Sequence, residues 1–534
     1  MPQRVHRHKT TLPFADISSQ GMKAKIPAYQ FGMTNQQNSV YTISMTPSPS
    51  TDSFSNAKTL LFDLHPMEFG QLLDILLRFK ISCSTADVQL CPAPYLIKEI
   101  IVYASPLANT ELCRFYPETI VASNYLTKNT EERRRDQQEC MYKEVYNKSN
   151  NTAKVRSNAN YNTIVVGETR YISLPLPAGF FKTLAIDGRN LRNPIRVRID
   201  LESDICVSGS VNNISLDDVQ FVINSVNEDK YDLDARDTIQ KFYKQKYIYL
   251  DVEKTSWNDK TLSPSVKSSF DLSSFQGISP FLLVCVRPST QSASAQTKWK
   301  FYDVGDYAKF DIENSGGSSQ LGNGTPIYAE DLYKNFAYET KNPCPYGYYF
   351  VPLCEMGTFR KAMAGAMCSG GFEFVGAKDN LCITFGDGGN AEVHTITKTN
   401  ASASSGNFRM ATSVAGASPN AIAYNATTTN IKDNINEIDE VGDRDYSMTV
   451  ANLMNSATAT TITFSVRDGS PCREIGTITP IGDGMYDAVS CSVSTRGRTG
   501  FISGTGTDYT TEIYFYKFKE LCVDEFGNLD ARDL

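Results

Sequence analysis

Histidine, the side chain most often used in acid–base catalysis, is scarce in this sequence: 534 residues contain four, two of them at positions 6 and 8. No serine elbow motif accompanies the others, His65 and His394. The 13 cysteines are scattered singly and never form a Cys-x-x-Cys pair, so neither zinc binding nor redox work is indicated. We therefore predict no catalytic residues, no cofactor-binding residues and no metal site, and expect reduced cysteines packed as small apolar groups.

Glycine-rich nucleotide-binding loops are absent as well. No G-x-x-x-x-G-K-[ST] sequence occurs, and residues 386–389 do not lead from a strand into a helix as a Rossmann turn would. Two acidic segments, residues 303–306 and 524–528, lack the twelve-residue spacing and closing glutamate of a calcium loop. We interpret both as structural turns.

The charge pattern is not that of a nucleic-acid-coating protein. The formal charge is -7, and no basic run is longer than Arg133, Arg134 and Arg135, which we expect on the solvated face of a helix. We predict no specific nucleic-acid recognition; residues 4–9 are only a short basic leader. The N-terminal residues lack the apolar stretch of a signal peptide, and the near-apolar run at 280–286 is too short for a bilayer, so we expect the chain to stay on the cytosolic side.

Alternation with period two, which places one set of side chains in a core and the other toward water, is the commonest pattern present. Residues 195–201 show it most clearly. Many such short segments separated by Gly, Pro, Asn and Ser clusters predict an all-β fold of sandwiches or barrels. Strands are expected at residues 40–45, 60–64, 75–83, 97–103, 171–176, 195–201, 219–223, 247–252, 281–286, 299–302, 310–312, 348–353, 381–385 and 513–518.

Four helical patterns lie between the strands. Residues 109–126 have helical spacing, although Pro117 should break or kink the helix. Residues 130–146 are charged and carry acids where a helix N-terminus favours them, so we expect a surface helix. Residues 229–244 predict a linking helix, and residues 327–338 predict a short fourth helix.

The order of these patterns repeats, and repeats decide architecture more than local assignments do. Both halves run from strands through a helix to an aromatic, proline-containing strand and then to a further apolar strand. Between residues 386 and 508 the composition shifts to Ala, Ser, Thr, Asn and Gly, which predicts an inserted tower-like β subdomain. The predicted division is an N-terminal arm at 1–36, a first module at 37–228, a linking helix at 229–246, a second module at 247–385 and 509–529, the insertion at 386–508 and a C-terminal tail at 530–534.

Three segments of the sequence occur in an order that can be compared with a known protein family. Residues 96–105 are a strand and short loop before a helix, and residues 171–177 are a leucine- and proline-containing strand that precedes the strand at 195–201. Residues 281–288 open a long connection in the second half. This order resembles the double jelly-roll major capsid proteins shared by adenoviruses, tailless membrane-containing phages, virophages, polinton-like viruses and nucleocytoplasmic large DNA viruses.

A fourth stretch, residues 349–385, takes the place of a large-virus segment with a small-residue turn and an apolar strand. This chain has Gly371, Phe372 and Glu373 where that segment has asparagine, phenylalanine and serine. The departure favours the virophage or polinton-like branch. The resemblance covers roughly residues 40–385 and 513–529, and the insertion matches nothing in the family.

The resemblance implies two eight-stranded jelly rolls side by side, three chains forming a pseudo-hexameric homotrimeric capsomer, and loops forming towers. It implies a non-enzymatic capsid subunit of an icosahedral double-stranded DNA virus, located in the virion and assembled in the host cell cytoplasm or nucleus. The implied partners are neighbouring capsomers, penton and minor capsid proteins, and an internal membrane or the genome through the N-terminal arm. Aromatic residues 346–350 are then either interface anchors or core.

Two alternatives stay open. Jelly rolls also host lectins and glycosidases, so the chain is alternatively a carbohydrate-binding or carbohydrate-active multi-β-domain protein. That function needs a cleft with two carboxylates and stacking aromatics, and the sequence offers only Trp257 and Trp299 as tryptophans. A virion spike or adhesin, the second alternative, would place the function in the insertion.

Overall fold

The computed structural model describes most of the chain. The predicted arm and basic leader (within 1–36) and the linking helix at 229–244 lie outside the described residues. The described residues are 40–45, 59–66, 71–107, 110–139, 143–147, 152–156, 162–176, 191–226, 246–263, 265–289, 298–299, 301, 304–305, 307–321, 324–353, 372–375, 379–386, 392–398, 407–412, 416–417, 422–423, 426–431, 446–451, 460–466, 478–483, 489–495, 508–524 and 528–533.

Strands dominate the described chain, and three α-helices of ten residues or more interrupt them. The strands are β1 (Val40–Met45), β2 (Thr59–Leu64), β3 (Gln71–Cys83), β4 (Val88–Leu90), β5 (Ile97–Tyr103), β6 (Glu111–Phe115), β7 (Lys143–Asn147), β8 (Thr152–Arg156), β9 (Thr163–Ile164), β10 (Thr169–Pro175), β11 (Ile195–Leu201), β12 (Cys206–Ser208), β13 (Ile214–Val226), β14 (Lys246–Thr261), β15 (Lys267–Asp271), β16 (Gln276–Ser279), β17 (Phe281–Pro288), β18 (Lys309–Glu313), β19 (Ile327–Tyr328), β20 (Cys344–Pro345), β21 (Tyr348–Pro352), β22 (Phe372–Val375), β23 (Asn380–Thr384), β24 (Glu392–Lys398), β25 (Asn407–Thr412), β26 (Gly416–Ala417), β27 (Ile422–Ala423), β28 (Tyr446–Ala451), β29 (Thr460–Val466), β30 (Ile478–Asp483), β31 (Val489–Thr495), β32 (Asp508–Val523) and β33 (Leu529–Asp533). The helices are α1 (Pro117–Thr127), α2 (Thr130–Glu139) and α3 (Ala329–Thr340).

The first sandwich consists of two four-stranded antiparallel sheets. The first sheet has the order β1-β13-β3-β10, and the second sheet has the order β2-β11-β5-β6. The alternation in β11 decides its orientation, because Ile195, Val197, Ile199 and Leu201 are buried while the residues between them are half-buried. The odd-numbered residues of β3 from Ile75 to Cys83 fill the same core from the opposite sheet.

The second sandwich repeats this order strand for strand. The third sheet runs β14-β32-β17-β21, with β33 added on β32, and the fourth sheet runs β15-β23-β18-β19. Replacing each strand of the first sandwich by its counterpart in chain order gives these same two orders. The predicted repeat is therefore present, and the all-β fold of two tandem jelly-roll sandwiches is confirmed. The strand expected at residues 513–518 lies within β32, in the interior of the third sheet.

Strand direction sorts the connections between two ends of each sandwich. Because consecutive strands run antiparallel and short links such as residues 65–70 cannot cross the molecule, every second connection lies at the same end. One end carries α1 and α2 after β6, α3 after β19 and the insertion after β23; we call it the helix end. The opposite end carries the start of β1 and the end of β32.

The insertion is rich in strands, as expected. Strands β28-β29-β24-β31 form one four-stranded sheet, and β25 pairs with β26, β27 and β30 in another. On the first module, β4, β9 and β12 join into a three-stranded sheet from three different connections at the helix end. This small sheet supports the assignment of those connections to one end.

Three local predictions were wrong. Residues 109–126 are not one helix but strand β6 followed by α1, which begins at Pro117 because proline fits the first helical turn, where no intrahelical N–H bond is lost. The helix expected at 130–146 ends at Glu139, and β7 follows it. Lys298 and Trp299 form a turn where a strand was expected.

Candidate functional site: the seam between the two sandwiches

The central strands of the third sheet, β17 and β32, are buried on both faces. All residues of β17 from Phe281 to Val286 are buried, which explains why this strand is a continuous apolar run without alternation. One face, with Val284 and Phe515, packs inside the second sandwich; there the rings of Phe515 and Phe275 stack at 4.7 Å between centroids. The other face meets the first sandwich. We call this contact region the seam.

Aromatic residues from both sandwiches line the seam. The rings of Tyr116, which precedes α1, and Tyr514 of β32 meet edge to face with centroids 5.8 Å apart. The hydroxyl oxygens of Tyr95 and Tyr348 lie 3.1 Å apart, so one donates to the other. Burial raises the pKa of both Tyr95 and Tyr348 well above the ordinary tyrosine range. These phenols therefore act as neutral hydrogen-bonding groups in the seam.

A buried charge network crosses the seam. Arg287 of β17 donates from Nη2 to Oε1 of Glu512 at 2.5 Å, and Lys254 Nζ lies 2.7 Å from the same oxygen. Arg287 Nη1 lies 3.7 Å from Oε1 of Glu118, which belongs to α1 of the first sandwich. The hydroxyl of Tyr514 donates to Glu512 Oε2 at 3.1 Å. Two cations and two carboxylates thus balance one another across the two modules.

The network shifts the ionisation of its members. Burial by itself raises the pKa of Glu512, but the charges of Arg287 and Lys254 outweigh burial and bring this pKa to about 2. Burial lowers the pKa of Arg287, and the carboxylates of Glu512 and Glu118 outweigh that effect, so its pKa is raised. Glu118 sits in the first turn of α1, where the helix dipole favours a negative charge.

Hydrogen bonds also join the edges of the second and third sheets. The backbone N–H of Arg114 in β6 donates to Asp251 Oδ1 at 2.9 Å, and Tyr249 donates from its hydroxyl to the carbonyl of Leu112 at 2.5 Å. Lys519 Nζ lies 2.7 Å from Asp251 Oδ2. The edge strands β6 and β14 therefore lie side by side, and each covers the edge of the other within the chain.

The contacts at the two ends of the seam fix the relative direction of the sandwiches. At the helix end, Asn342 donates from Nδ2 to the carbonyl oxygens of Tyr125 at 2.6 Å and Lys128 at 2.8 Å. Strand β20 pairs in parallel with β8, so one small sheet contains strands from both modules. At the opposite end, Asn193 donates to Asn528 at 3.2 Å. Helix end thus meets helix end, and both sandwiches point the same way.

One glycine is required at this junction. Gly347, between β20 and β21, has a φ of 78°, and a Cβ atom there would overlap the Cβ of Phe301. The positive φ and this overlap both favour glycine, and the backbone N–H of Gly347 donates to the hydroxyl of Tyr333 at 3.3 Å. The tight turn at Gly347 sets the path from β20, which bridges the modules, into the third sheet.

The side chains singled out in the sequence do not gather into one site. His65 is exposed and His394 is buried in β24, far apart in the topology. Within the described residues, no group of three or more His, Cys, Asp or Glu is placed to hold a metal ion. Burial raises the pKa of Cys91 to about 12, so this cysteine is a neutral thiol. None of the helices in the described part has the length and apolar character needed to cross a bilayer.

Several sequence interpretations change with the structure. Of the aromatic cluster, Tyr348, Tyr349 and Phe350 are buried, so the core alternative is correct for them and the interface alternative is wrong. Arg133 was expected in solvent but is only 1% exposed. Its guanidinium lies 4.9 Å from the ring centre of Tyr125 and donates a hydrogen bond to the carbonyl of Lys128, and these two contacts explain its burial.

The two tryptophans and the acidic segment at 524–528 make contacts that stabilise the fold. Trp299 is buried, and Trp257 packs edge to face on Phe270 at 6.3 Å, so neither forms an open stacking platform. The carboxylate of Asp524 accepts hydrogen bonds from the N–H and side-chain amide of Asn528 at 2.8 and 2.7 Å. These bonds hold the two ends of the segment together, as expected if the residues form a structural turn.

Sequence comparison finds nothing similar: no protein-family model and no curated protein matches the chain. Structural comparison does. VP54 of PBCV-1, in a crystal structure fitted into a reconstruction of the virophage Sputnik, superposes with a TM-score of 0.52 at 10% identity, covering 93% of this chain and 97% of that one. A quasi-atomic model of the PBCV-1 capsid gives the same values. The chain has the double jelly-roll fold.

Other solved structures are matched over less of the chain. The Faustovirus major capsid protein covers 65% of this chain and 87% of its own length, with 9% identity and a TM-score of 0.47. The seam described above is the contact between the two jelly rolls. Sequence reasoning found the repeat but missed the seam network, because Arg287 and Glu512 lie 225 residues apart and no local pattern connects them.

Proposed function

We propose that this chain is a structural protein: the major capsid subunit of an icosahedral double-stranded DNA virus, forming pseudo-hexameric homotrimeric capsomers. The observation that carries the proposal is the pair of repeated sandwiches held in the same direction by a continuous seam. Three such chains around one axis present six similar sandwiches, which is the shape of a pseudo-hexagonal building block. The likeness in fold to the PBCV-1 capsid structures supports this function.

The polarity of the sandwiches supports a further part of the proposal. The insertion at 386–508 leaves the helix end, whereas the N-terminal arm joins β1 at the opposite end. We assign the helix end to the outer surface of the capsid and the arm to its inside, where the arm contacts minor capsid proteins, an internal membrane or the genome. Penton proteins and neighbouring capsomers are the remaining proposed partners.

The location follows from this assignment. The chain belongs in the virion, after assembly in the host cell cytoplasm or nucleus, and Gly371, Phe372 and Glu373 favour the virophage or polinton-like branch. The domain limits given for the sequence, with a first jelly roll at 37–228 and a second at 247–385 and 509–529, are part of the same proposal. No catalytic role is assigned to any residue.

The test is the mass of the purified chain by light scattering after size exclusion, followed by negative-stain imaging of the main peak. A trimer with a flat pseudo-hexagonal outline is the expected result. A stable monomer that forms no ring-like particles overturns the capsid function and moves the carbohydrate-binding alternative to the front. A glycan array on the same preparation then tests that alternative directly.

A further inference from the structure

Two helices at equivalent positions of the repeat have unequal surroundings. Helix α1 follows the fifth main strand of the first sandwich, and all its residues from Pro117 to Leu126 are buried. Helix α3 occupies the same place in the second sandwich but keeps one stripe open, formed by Asp331, Lys334 and Tyr338. The side chain of Lys334 is 74% exposed and Tyr338 is 68% exposed. The start of α1 has the third sheet against it, whereas no sheet of the described residues covers the open stripe of α3.

The first and third sheets, which are equivalent in the repeat, also differ in how far their outer faces are covered. The outer face of the third sheet is covered at the seam, but the outer face of the first sheet has two rows of polar and aromatic side chains that are half-buried or exposed. Tyr171, Lys80 and Asp218 form one row across β10, β3 and β13. Ser173, Arg78 and Gln220 form the next row, and Tyr171 is 64% exposed. Within the described residues, the chain therefore presents one exposed helix stripe and one partly exposed sheet face.

We propose that these two surfaces bind each other between copies of the chain: the α3 stripe of one copy docks on the outer face of the first sheet of the next copy. The contact repeats between chains what α1 and the third sheet do within a chain, and it rests on the proposed capsomer. Its partners differ on the two sides, so it is heterologous, and three such contacts around an axis close a ring.

Charge and side-chain type fit this pairing. On and beside the stripe, the carboxylates of Asp331, Glu330 and Glu339 face two ammonium groups, Lys334 and Lys341, so the net charge there is negative by one. The open rows of the first sheet carry Arg78 and Lys80 against one carboxylate. Within the chain, the seam likewise places Glu118 of a helix start against Arg287 of a sheet. Each surface also carries an exposed tyrosine, Tyr171 on the sheet and Tyr338 on the helix. Tyrosine is enriched in protein interfaces because its ring is apolar and its hydroxyl can form hydrogen bonds.

The first experiment reverses the sheet charges. In Arg78→Glu/Lys80→Glu, we expect the trimer to dissociate to monomer, with at least a tenfold weaker association, while the far-ultraviolet circular dichroism spectrum and melting curve stay close to wild type. Lys98→Glu is the matched control, because Lys98 is exposed on β5 in the other sheet of the same sandwich. This control should stay trimeric.

A charge swap separates a direct contact from general damage. Adding Asp331→Lys/Glu339→Lys to the sheet variant should restore the trimer, whereas the helix changes alone should weaken it. A second probe places cysteines at both surfaces with Tyr171→Cys/Tyr338→Cys and a short bis-maleimide. Covalent trimers are expected from the double variant and not from either single variant.

The outcomes separate this interface from the capsomer itself. If the wild type is trimeric and the charge-reversed chain is equally trimeric, the interface is wrong and the proposed function stands. Cross-linking of Tyr171→Cys alone to covalent dimers indicates a symmetric contact and also overturns the interface. If the wild type itself is monomeric under all conditions, the proposed function fails, and the interface fails with it.

Discussion

The first and third sheets have the same strand order, but the side chains on their outer faces differ in polarity. Both have four main strands in the same order, and both fill a sandwich with alternate residues of their central strands. On the outer face, the central strand of the first sheet carries Arg78, Lys80 and Ser82, all half-exposed, whereas its counterpart β17 carries Phe281, Leu283 and Cys285, all buried. The fold therefore does not decide which face meets water.

The difference teaches where each face is covered. The third sheet is covered within its own chain, so its outer face folds together with the core and carries apolar side chains plus a balanced charge network. In the described part of the chain, the outer face of the first sheet is only partly covered, and it carries polar side chains. The side chains on an outer face thus distinguish a sheet that is covered within the chain from one that is partly exposed to water.

The largest effect is expected when a charged side chain of the kind found on the outer face of the first sheet is placed on the outer face of the third sheet. Leu283→Lys places an ammonium beside Tyr514 and Phe350, where Leu283 is fully buried. We expect a loss of more than about 4 kcal/mol, because a large buried side chain is lost and a charge is buried without a partner. Urea unfolding and the soluble yield measure it.

The reverse change, Lys80→Leu, is the matched control for that variant. It alters a half-exposed residue of the equivalent strand, so the free energy of unfolding should change by less than about 0.5 kcal/mol. Equal losses in the two variants would mean that the outer faces are not different environments.

A smaller effect is expected from the network itself. Glu512→Gln leaves Arg287 and Lys254 with only the more distant Glu118 as a counter-charge. Removing one partner of a buried ion pair typically costs about 3–5 kcal/mol. Thermal and urea unfolding of the two chains give the difference. Asp63→Asn, which removes the half-exposed partner of Arg196, is the control and should cost less than about 1 kcal/mol.

The pH dependence of stability sharpens the same point. The pKa of Glu512 is about 2 in the folded chain, against 4.5 for an ordinary glutamate, so folding holds this carboxylate ionised. Its stabilisation is present above pH 4.5 and is lost as the pH falls from 4.5 to 2, by roughly 3 kcal/mol in total. The difference between wild type and Glu512→Gln should therefore shrink across this window. A difference that stays constant down to pH 2 contradicts the assignment.

The sequence predicted the regions whose signal is local. Alternation placed β11 correctly, and the repeated order of strands and helices predicted two sandwiches. The continuous apolar run of β17 predicted a strand, and its lack of alternation already contained the information that both faces are covered. Pro117 misled because the same residue that breaks a helix interior also begins helices, and only the boundary with β6 distinguishes the two cases.

The seam was beyond sequence reasoning for a physical reason. Glu118, Arg287 and Glu512 are polar residues inside apolar or helical segments, and single polar residues of this kind usually face solvent. Their burial depends on the packing of one module on the other, which no local period encodes. Arg133 was misplaced for the same reason, since its cover by Tyr125 comes from the neighbouring helix.

The smallest expected effect tests the exposed side of the comparison. Asp218 lies half-exposed in the open rows of the first sheet, where its carboxylate accepts a hydrogen bond from Gln220 at 2.8 Å. In dilute protein, Asp218→Asn should change the free energy of unfolding by less than about 0.5 kcal/mol, because water solvates this face in the single chain. Urea unfolding at low concentration measures it. A cost as large as that of Glu512→Gln would mean that the face is already covered within one chain, and the open surface needed for a neighbouring copy would not exist.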